Sequence, residues 1–179
     1  MSDTQFHTYT IVRAHDVSRE CIVCGTENEL GLHGQFLETD EDILLGIFNP
    51  LNEHQSYPNR LHGGVSSAIL DEMVGRAVQI SEPDTWAVTI DLATKFRKPV
   101  PLNKPILARS KIVRNTSRAM DGIAQIVLDD GTVAVEGSAR YVKLPLSKIA
   151  GEGADEHETM MPDVRSWPEI FSFPEKAEF

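Results

Sequence analysis

The chain has 179 residues, 41% of them hydrophobic and 25% charged, with a formal net charge of −10. That size and composition fit one globular domain with a real core, and the acidic balance argues against a nucleic-acid partner, because phosphate binding wants a basic surface. No apolar run approaches the roughly 20 residues of a membrane span, and residues 1–16 lack the apolar core of a signal peptide, so a cytoplasmic location is expected.

Residues 1–20 are weakly patterned and read as an N-terminal arm. Within it Tyr9-Thr10-Ile11-Val12 suits either a short strand or an arm over a partner. Cys21-Ile22-Val23-Cys24-Gly25 follows, and a Cys-x-x-Cys pair can bind zinc or do redox chemistry. Zinc needs about four ligands, no second pair exists, and no thioredoxin-like context surrounds this one. Two reduced cysteines in a packed turn is the favoured reading. Residues 32–38 and 43–48 are short apolar runs either side of Thr39-Asp40-Glu41-Asp42, the spacing of a hairpin. Asn49-Pro50 ends the second run, and residues 52–60 form a polar loop.

Next comes Asn59-Arg60-Leu61-His62-Gly63-Gly64-Val65-Ser66-Ser67-Ala68-Ile69-Leu70-Asp71-Glu72-Met73, continuing without proline to Ile80. The two glycines let other groups approach the backbone closely. The run after them reads as a helix, with Ser66 and Ser67 suited to its first turn. Val65, Ala68, Ile69, Leu70, Met73, Val74, Ala77 and Val78 cover most of its circumference, which predicts a buried helix. Asp71 and Glu72 interrupt that apolar surface. Adjacent helical residues point about 100° apart, so the two acids face different ways. A carboxylate enclosed by apolar groups can act as a base; two acids at a wet helix edge fit the same composition.

Ser81-Glu82-Pro83-Asp84 breaks the helix. Residues 86–97 then alternate, with Val88, Ile90 and Leu92 against Thr89, Asp91 and Ala93, the period of a strand. Lys98-Pro99-Val100-Pro101 stops it or makes an edge bulge. Residues 106–113, 120–128 and 132–142 are three further strands, the last two joined by Asp129-Asp130-Gly131, which suits a tight hairpin. Helices do not alternate with strands, so a doubly wound parallel sheet is disfavoured. The pattern predicts an α+β fold, an antiparallel sheet around one long helix. From Gly151 to the end the chain carries eight acidic residues and two basic ones, with apolar outliers at Trp167, Ile170, Phe171 and Phe173. A disordered tail would hold fewer aromatics. This acidic extension, counted from 147 to 179, is expected to end in a segment that docks on the body or on a partner subunit. The central domain then spans residues 21–146.

The helical stretch resembles the HotDog-fold thioesterases, in particular the branch with a His-Gly-Gly signature and a helical acid nine positions after the His. His62-Gly63-Gly64 with Asp71 keeps that register, and His54-Gln55-Ser56-Tyr57-Pro58 and Leu70-Asp71-Glu72 are similar to the same branch. Cys24-Gly25-Thr26-Glu27-Asn28-Glu29-Leu30-Gly31-Leu32 resembles the entry to the first main strand in some of its members. The resemblance covers residues 20–144 and implies the HotDog fold, an acyl-coenzyme A substrate and hydrolysis. It implies a homodimer or a dimer of dimers, and no cofactor or metal.

A thioester carbonyl under attack becomes an oxyanion and needs hydrogen-bond donors there. Gly64 opens the helix, where backbone N–H groups are unpaired and the dipole is positive, and is the expected oxyanion donor, with Gly63 shaping the turn. The resemblance makes Asp71 the general base or nucleophile. It makes His62 a group that orders the loop or the thioester, although a His satisfying nearby backbone fits as well. It makes Thr89 the group that orients water, reaching across a dimer interface; a Thr in a strand is also simply a good strand residue. Arg97, Lys98 and Arg60 are candidates for the coenzyme A phosphates, with Asn59 beside them. The sequence departs from some relatives at Ser56, where they carry an Asn six residues before the His; Gln55, Asn59 and Asn52 are out of register. A HotDog hydratase or dehydratase is disfavoured by the His-Gly-Gly register. A non-catalytic acyl-coenzyme A binding or regulatory module keeps both fold and motif, and stands as the alternative to the enzyme.

Overall fold

The computed structural model describes residues 4–155, 160–176 and 179. Eight strands form one antiparallel sheet: β1 Gln5–Ala14, β2 Gln35–Thr39, β3 Leu44–Phe48, β4 Ala87–Phe96, β5 Ile106–Asn115, β6 Ala119–Val127, β7 Val133–Lys143 and β8 Ile170–Glu175. Their spatial order is β4-β7-β6-β5-β3-β2-β1-β8. One long helix, α1 (Gly63–Ala77), continues into a short 3-10 turn, Val78–Ile80, and a four-residue helix, α2 (Leu146–Ile149), follows β7. This is the HotDog arrangement, a sheet around a central helix. Among the described residues no helix is long and apolar enough to cross a membrane.

The helix is enclosed as its apolar circumference predicts: apart from Gly64 at its start, every α1 residue is buried or half-buried. What lets it sit so close is the absence of side chains beneath it. A Cβ at Gly46 of β3 would lie 2.4 Å from Met73 Sδ, one at Gly122 of β6 2.6 Å from Val74 Cγ1, and one at Gly137 of β7 3.1 Å from Leu70 Cδ1. Leu70, Met73 and Val74 are wholly buried there with Phe36, Phe48 and Ile126. Burying each such side chain contributes about 1.5–3 kcal/mol.

The 43–48 run is continuously apolar, not alternating, because β2 and β3 are covered on both faces. Phe36 and Leu44 join the core under α1, whereas Leu37 and Leu45 join a second cluster with Tyr9, Ile11, Val127 and Phe173. The covering of that second face comes from the chain ends. Residues 5–14, readable as strand or arm, form β1, which pairs with β2 and with β8. The C-terminal segment therefore docks on the body of its own chain. Buried Arg109 of β5 anchors it, donating to Glu175 at 2.6 Å with its guanidinium over the Phe173 and Phe179 rings. The Asp129–Asp130–Gly131 hairpin forms with Gly131 at φ 78°, left-handed backbone that favours glycine.

Gly122→Ala would press a methyl against Val74 on one side and the Lys111 carbonyl, 3.1 Å away, on the other. Neither neighbour is a flexible chain end, so stability is expected to fall by about 1–3 kcal/mol. A lower urea midpoint at unchanged slope checks this.

Candidate active site

The site is built at two places along α1. At its start His62 is the N-cap, in extended backbone (φ −64°, ψ 136°), and its Nδ1 accepts the Gly64 N–H at 2.9 Å. The chain leading in is held by His54, a buried ring whose Nδ1 accepts from Leu51 N and whose Nε2 lies 2.8 Å from the Leu30 carbonyl. The His54 carbonyl in turn accepts the His62 N–H at 2.9 Å. His62 thus serves the backbone, and it sits on the N–H expected to meet an oxyanion.

Two turns on, Asp71 faces the β4–β7 edge of the sheet. Its Oδ1 accepts from Thr89 Oγ1 at 2.8 Å and from Tyr141 Oη at 2.6 Å. Thr89 and Tyr141 are paired across β4 and β7, so strand register alone brings the two hydroxyls together. The ladder slips by one residue between Thr89 and Asp91, a bulge of the kind that re-aims side chains beside sites. Burial, followed by the bond to Asp71, pushes the Tyr141 hydroxyl far above its ordinary range, so it stays a protonated donor. Asp71 Oδ2 carries no hydrogen bond among the described residues, and Asp71 lines a groove of about 440 Å³ together with Glu72, Arg76, Trp86 and Met160. Thr89 meets Asp71 within its own chain. Tyr141 was not singled out by sequence: a tyrosine near the end of a strand carries no local signal, and only the β4–β7 register reveals it.

A second groove, about 430 Å³, opens at the start of the helix. Ser56, Arg60, Gly63, Phe96, Arg97 and Lys98 line it, so the three predicted cations and one of the signature glycines come together. Arg97 is paired with Glu136 at 2.7 Å. Asn59 is outside this lining. It takes a left-handed conformation (φ 61°), and its N–H goes to Gln55 Oε1, which makes it part of the turn. Ser56, in the register where relatives carry Asn, does line the groove. Gln55 is engaged by Asn59, and Asn52 by Asn103. Beside the first groove, which Glu72 also lines, Cys21, Cys24 and Glu72 bring three potential ligand atoms within 4.8 Å of one another.

The model of the thioesterase superfamily matches residues 59–135, which carry His62, Gly64, Asp71 and Thr89 and end before Tyr141. Among solved structures, a thioesterase superfamily protein is 26% identical over 70% of this chain, with a TM-score of 0.62; the match spans 61% of that protein, less than two thirds of its length. A thioesterase from Haemophilus influenzae superposes with a TM-score of 0.60 at 17% identity, over 69% of this chain and 86% of that one. The PaaI protein of the phenylacetic acid degradation operon of E. coli does so with 0.57 at 13% identity, over 64% and 81%. At those two identities the likeness is one of fold. No curated protein matches the chain.

Tyr141→Phe keeps the ring and removes the donor to Asp71. Loss of a hydrogen bond to this half-buried carboxylate is expected to cost about 1–3 kcal/mol, read by urea denaturation. An unchanged midpoint would mean that the hydroxyl does not hold the acid in place.

Proposed function

Taking the chain as a HotDog-fold member of the thioesterase superfamily, we propose that it hydrolyses acyl-coenzyme A thioesters to the free acid and coenzyme A. The observation that carries this reading is the Asp71 carboxylate, tethered through one oxygen by Thr89 and Tyr141 and open through the other to a groove. A carboxylate held in that way can take a proton from water at Oδ2 while the Thr89 hydroxyl orients that water. The activated water attacks the thioester carbonyl carbon. The carbonyl oxygen gains charge and is received by the Gly64 N–H at the positive end of α1, once His62 has turned aside. The C–S bond then breaks and coenzyme A leaves as its thiolate. Arg60, Arg97 and Lys98 supply the positive groove for its phosphates. Two free cysteines fit a reducing, cytoplasmic setting.

The site needs two copies of the chain. Gly64 and Asp71 are seven residues apart on one helix, roughly 10 Å along its axis at about 1.5 Å per residue. One carbonyl cannot meet both within a chain. An antiparallel α1 from a second copy supplies the missing half at each end, so a two-fold dimer holds two sites. The outer edge of β4 supports such pairing: it is ten residues long, lacks a partner strand among the described residues, and exposes Ile90 and Phe96.

Release of free thiol from a panel of acyl-coenzyme A thioesters tests the reading. Asp71→Ala is expected to lower kcat/KM by about 10²–10⁴-fold, and Thr89→Ala by about tenfold, the worth of one hydrogen bond. No release from any thioester, with the ligands still bound, would favour the binding-module alternative.

The dimer is tested by mixing two inactive chains. Gly64→Pro removes an N–H that has no partner within the helix, in its first turn. Combined with Asp71→Ala and refolded together, it is expected to restore about a quarter of wild-type activity, because half of the dimers are hybrids with one intact site. A mixture as inactive as its parts would place both residues in the same site of one chain.

A further inference from the structure

One cluster of reactive side chains has no part in thioester hydrolysis. Cys21 and Cys24 frame a turn closed by the Gly25 N–H donating to the Cys21 carbonyl at 2.7 Å. A Cβ at residue 25 would lie 2.4 Å from that oxygen and 2.6 Å from the Arg19 carbonyl, so glycine is required for the turn to close. The turn aims two backbone N–H groups at Cys21 Sγ, from Val23 at 3.3 Å and from Cys24 at 3.4 Å. From α1, Arg76 donates Nη2 to Cys24 Sγ at 3.1 Å. The same guanidinium holds Glu72 at 2.6 Å and the Asp16 carbonyl at 2.5 Å, and packs 4.3 Å from the centre of the Phe36 ring. Cys24 is buried, while Cys21 is partly exposed.

Thiols packed among apolar groups become harder to ionise and inert. Here hydrogen-bond donors converge on both sulfurs instead. Hydrogen bonds to the Cys21 sulfur, that from the Cys24 thiol foremost, bring Cys21 down to about 6, and Cys24, which gives that bond and is buried, moves far up. The pair is a thiolate on the accessible side with a proton-bearing thiol behind it.

We infer that Cys21 and Cys24 form a redox-reactive dithiol that closes to an intramolecular disulfide, with Cys21 as the attacking sulfur and Cys24 as the resolving one. The oxidant is a low-molecular-weight disulfide, RSSR. The Cys21 thiolate attacks one of its sulfurs; a Cys21–S–S–R bond forms and RS⁻ leaves. Cys24 passes its proton to that RS⁻, and its sulfur attacks the Cys21 sulfur. The Cys21–Cys24 bond forms as a second RS⁻ departs and takes a proton from water. The protein loses two electrons and RSSR gains them, ending as two RSH. A metal ion would use Cys21, Cys24 and Glu72 as ligands, but the cationic position against two of these is already filled by Arg76. Arg76 and Glu72 also line the Asp71 groove.

The test is exposure of the full-length protein to oxidised glutathione, followed by intact mass and thiol labelling, which requires no thioesterase activity. Wild type is expected to lose two hydrogens and both labelling sites. Cys24→Ser is expected to stop at a glutathione adduct on Cys21, and Cys21→Ser to remain unmodified. Iodoacetamide alkylation of Cys21 in the wild type is expected to show its inflection near pH 6 instead of about 8.5 for an ordinary thiol. This last measurement holds even if a serine variant folds poorly. Thiols that stay fully labelled, an adduct on Cys24 first, or an inflection above 8 would overturn the proposal. So would zinc retained at one equivalent by the wild type and lost in Glu72→Gln.

Discussion

Helix α1 lands on the sheet where three strands offer glycine. With no side chain at Gly46, Gly122 or Gly137, the residues Met73, Val74 and Leu70 drop directly onto backbone. Those three side chains fix the rotation of the helix, because any turn about its axis would lift them out of contact. Rotation fixed at residue 70 fixes the direction of residue 71, about 100° further round. Asp71 then emerges at the β4–β7 edge, where Thr89 and Tyr141 meet it. Burial of the three apolar groups contributes about 4.5–9 kcal/mol, against about 3–6 kcal/mol for the two hydrogen bonds to the carboxylate. Packing therefore aims the acid and the hydroxyls secure it.

The two ends of the site are built on different physics. At the start of α1 the donor is backbone, the dipole is positive, and the occupant is a side chain that can leave. Capping of this kind contributes about 1 kcal/mol, small enough for a ligand oxygen to replace the imidazole nitrogen on the same N–H. At Asp71 the charge belongs to a side chain held from two strands. One end exchanges its partner, the other keeps it, and the cations of the second groove lie beside the end that exchanges.

Two buried arginines tie the chain ends to this frame. Arg76 joins the Cys21–Cys24 turn and the Asp16 carbonyl to α1, and Arg109 joins β8 to β5. A buried charge is costly unless its donors are met. Each guanidinium meets a carboxylate and an aromatic ring inside the fold. The same donors that satisfy Arg76 also shape the sulfur chemistry beside it.

The sequence by itself determined the central elements, from β2 to β7, and the signature. Alternation marked β4, the apolar circumference marked α1, Asp129-Asp130-Gly131 marked the hairpin, and His62 to Asp71 kept a recognisable register. These are local patterns, legible because side-chain periodicity follows backbone geometry within a few residues. Tertiary structure decided what lies far apart in the chain: that β8 pairs with β1 across more than a hundred residues, that Tyr141 stands opposite Thr89, and that Thr89 reaches Asp71 within one chain. It also decided that Arg76 reaches Cys24. None of these has a local signature, because strand register and helix rotation are settled by which side chains fit between layers, and that depends on the whole core at once.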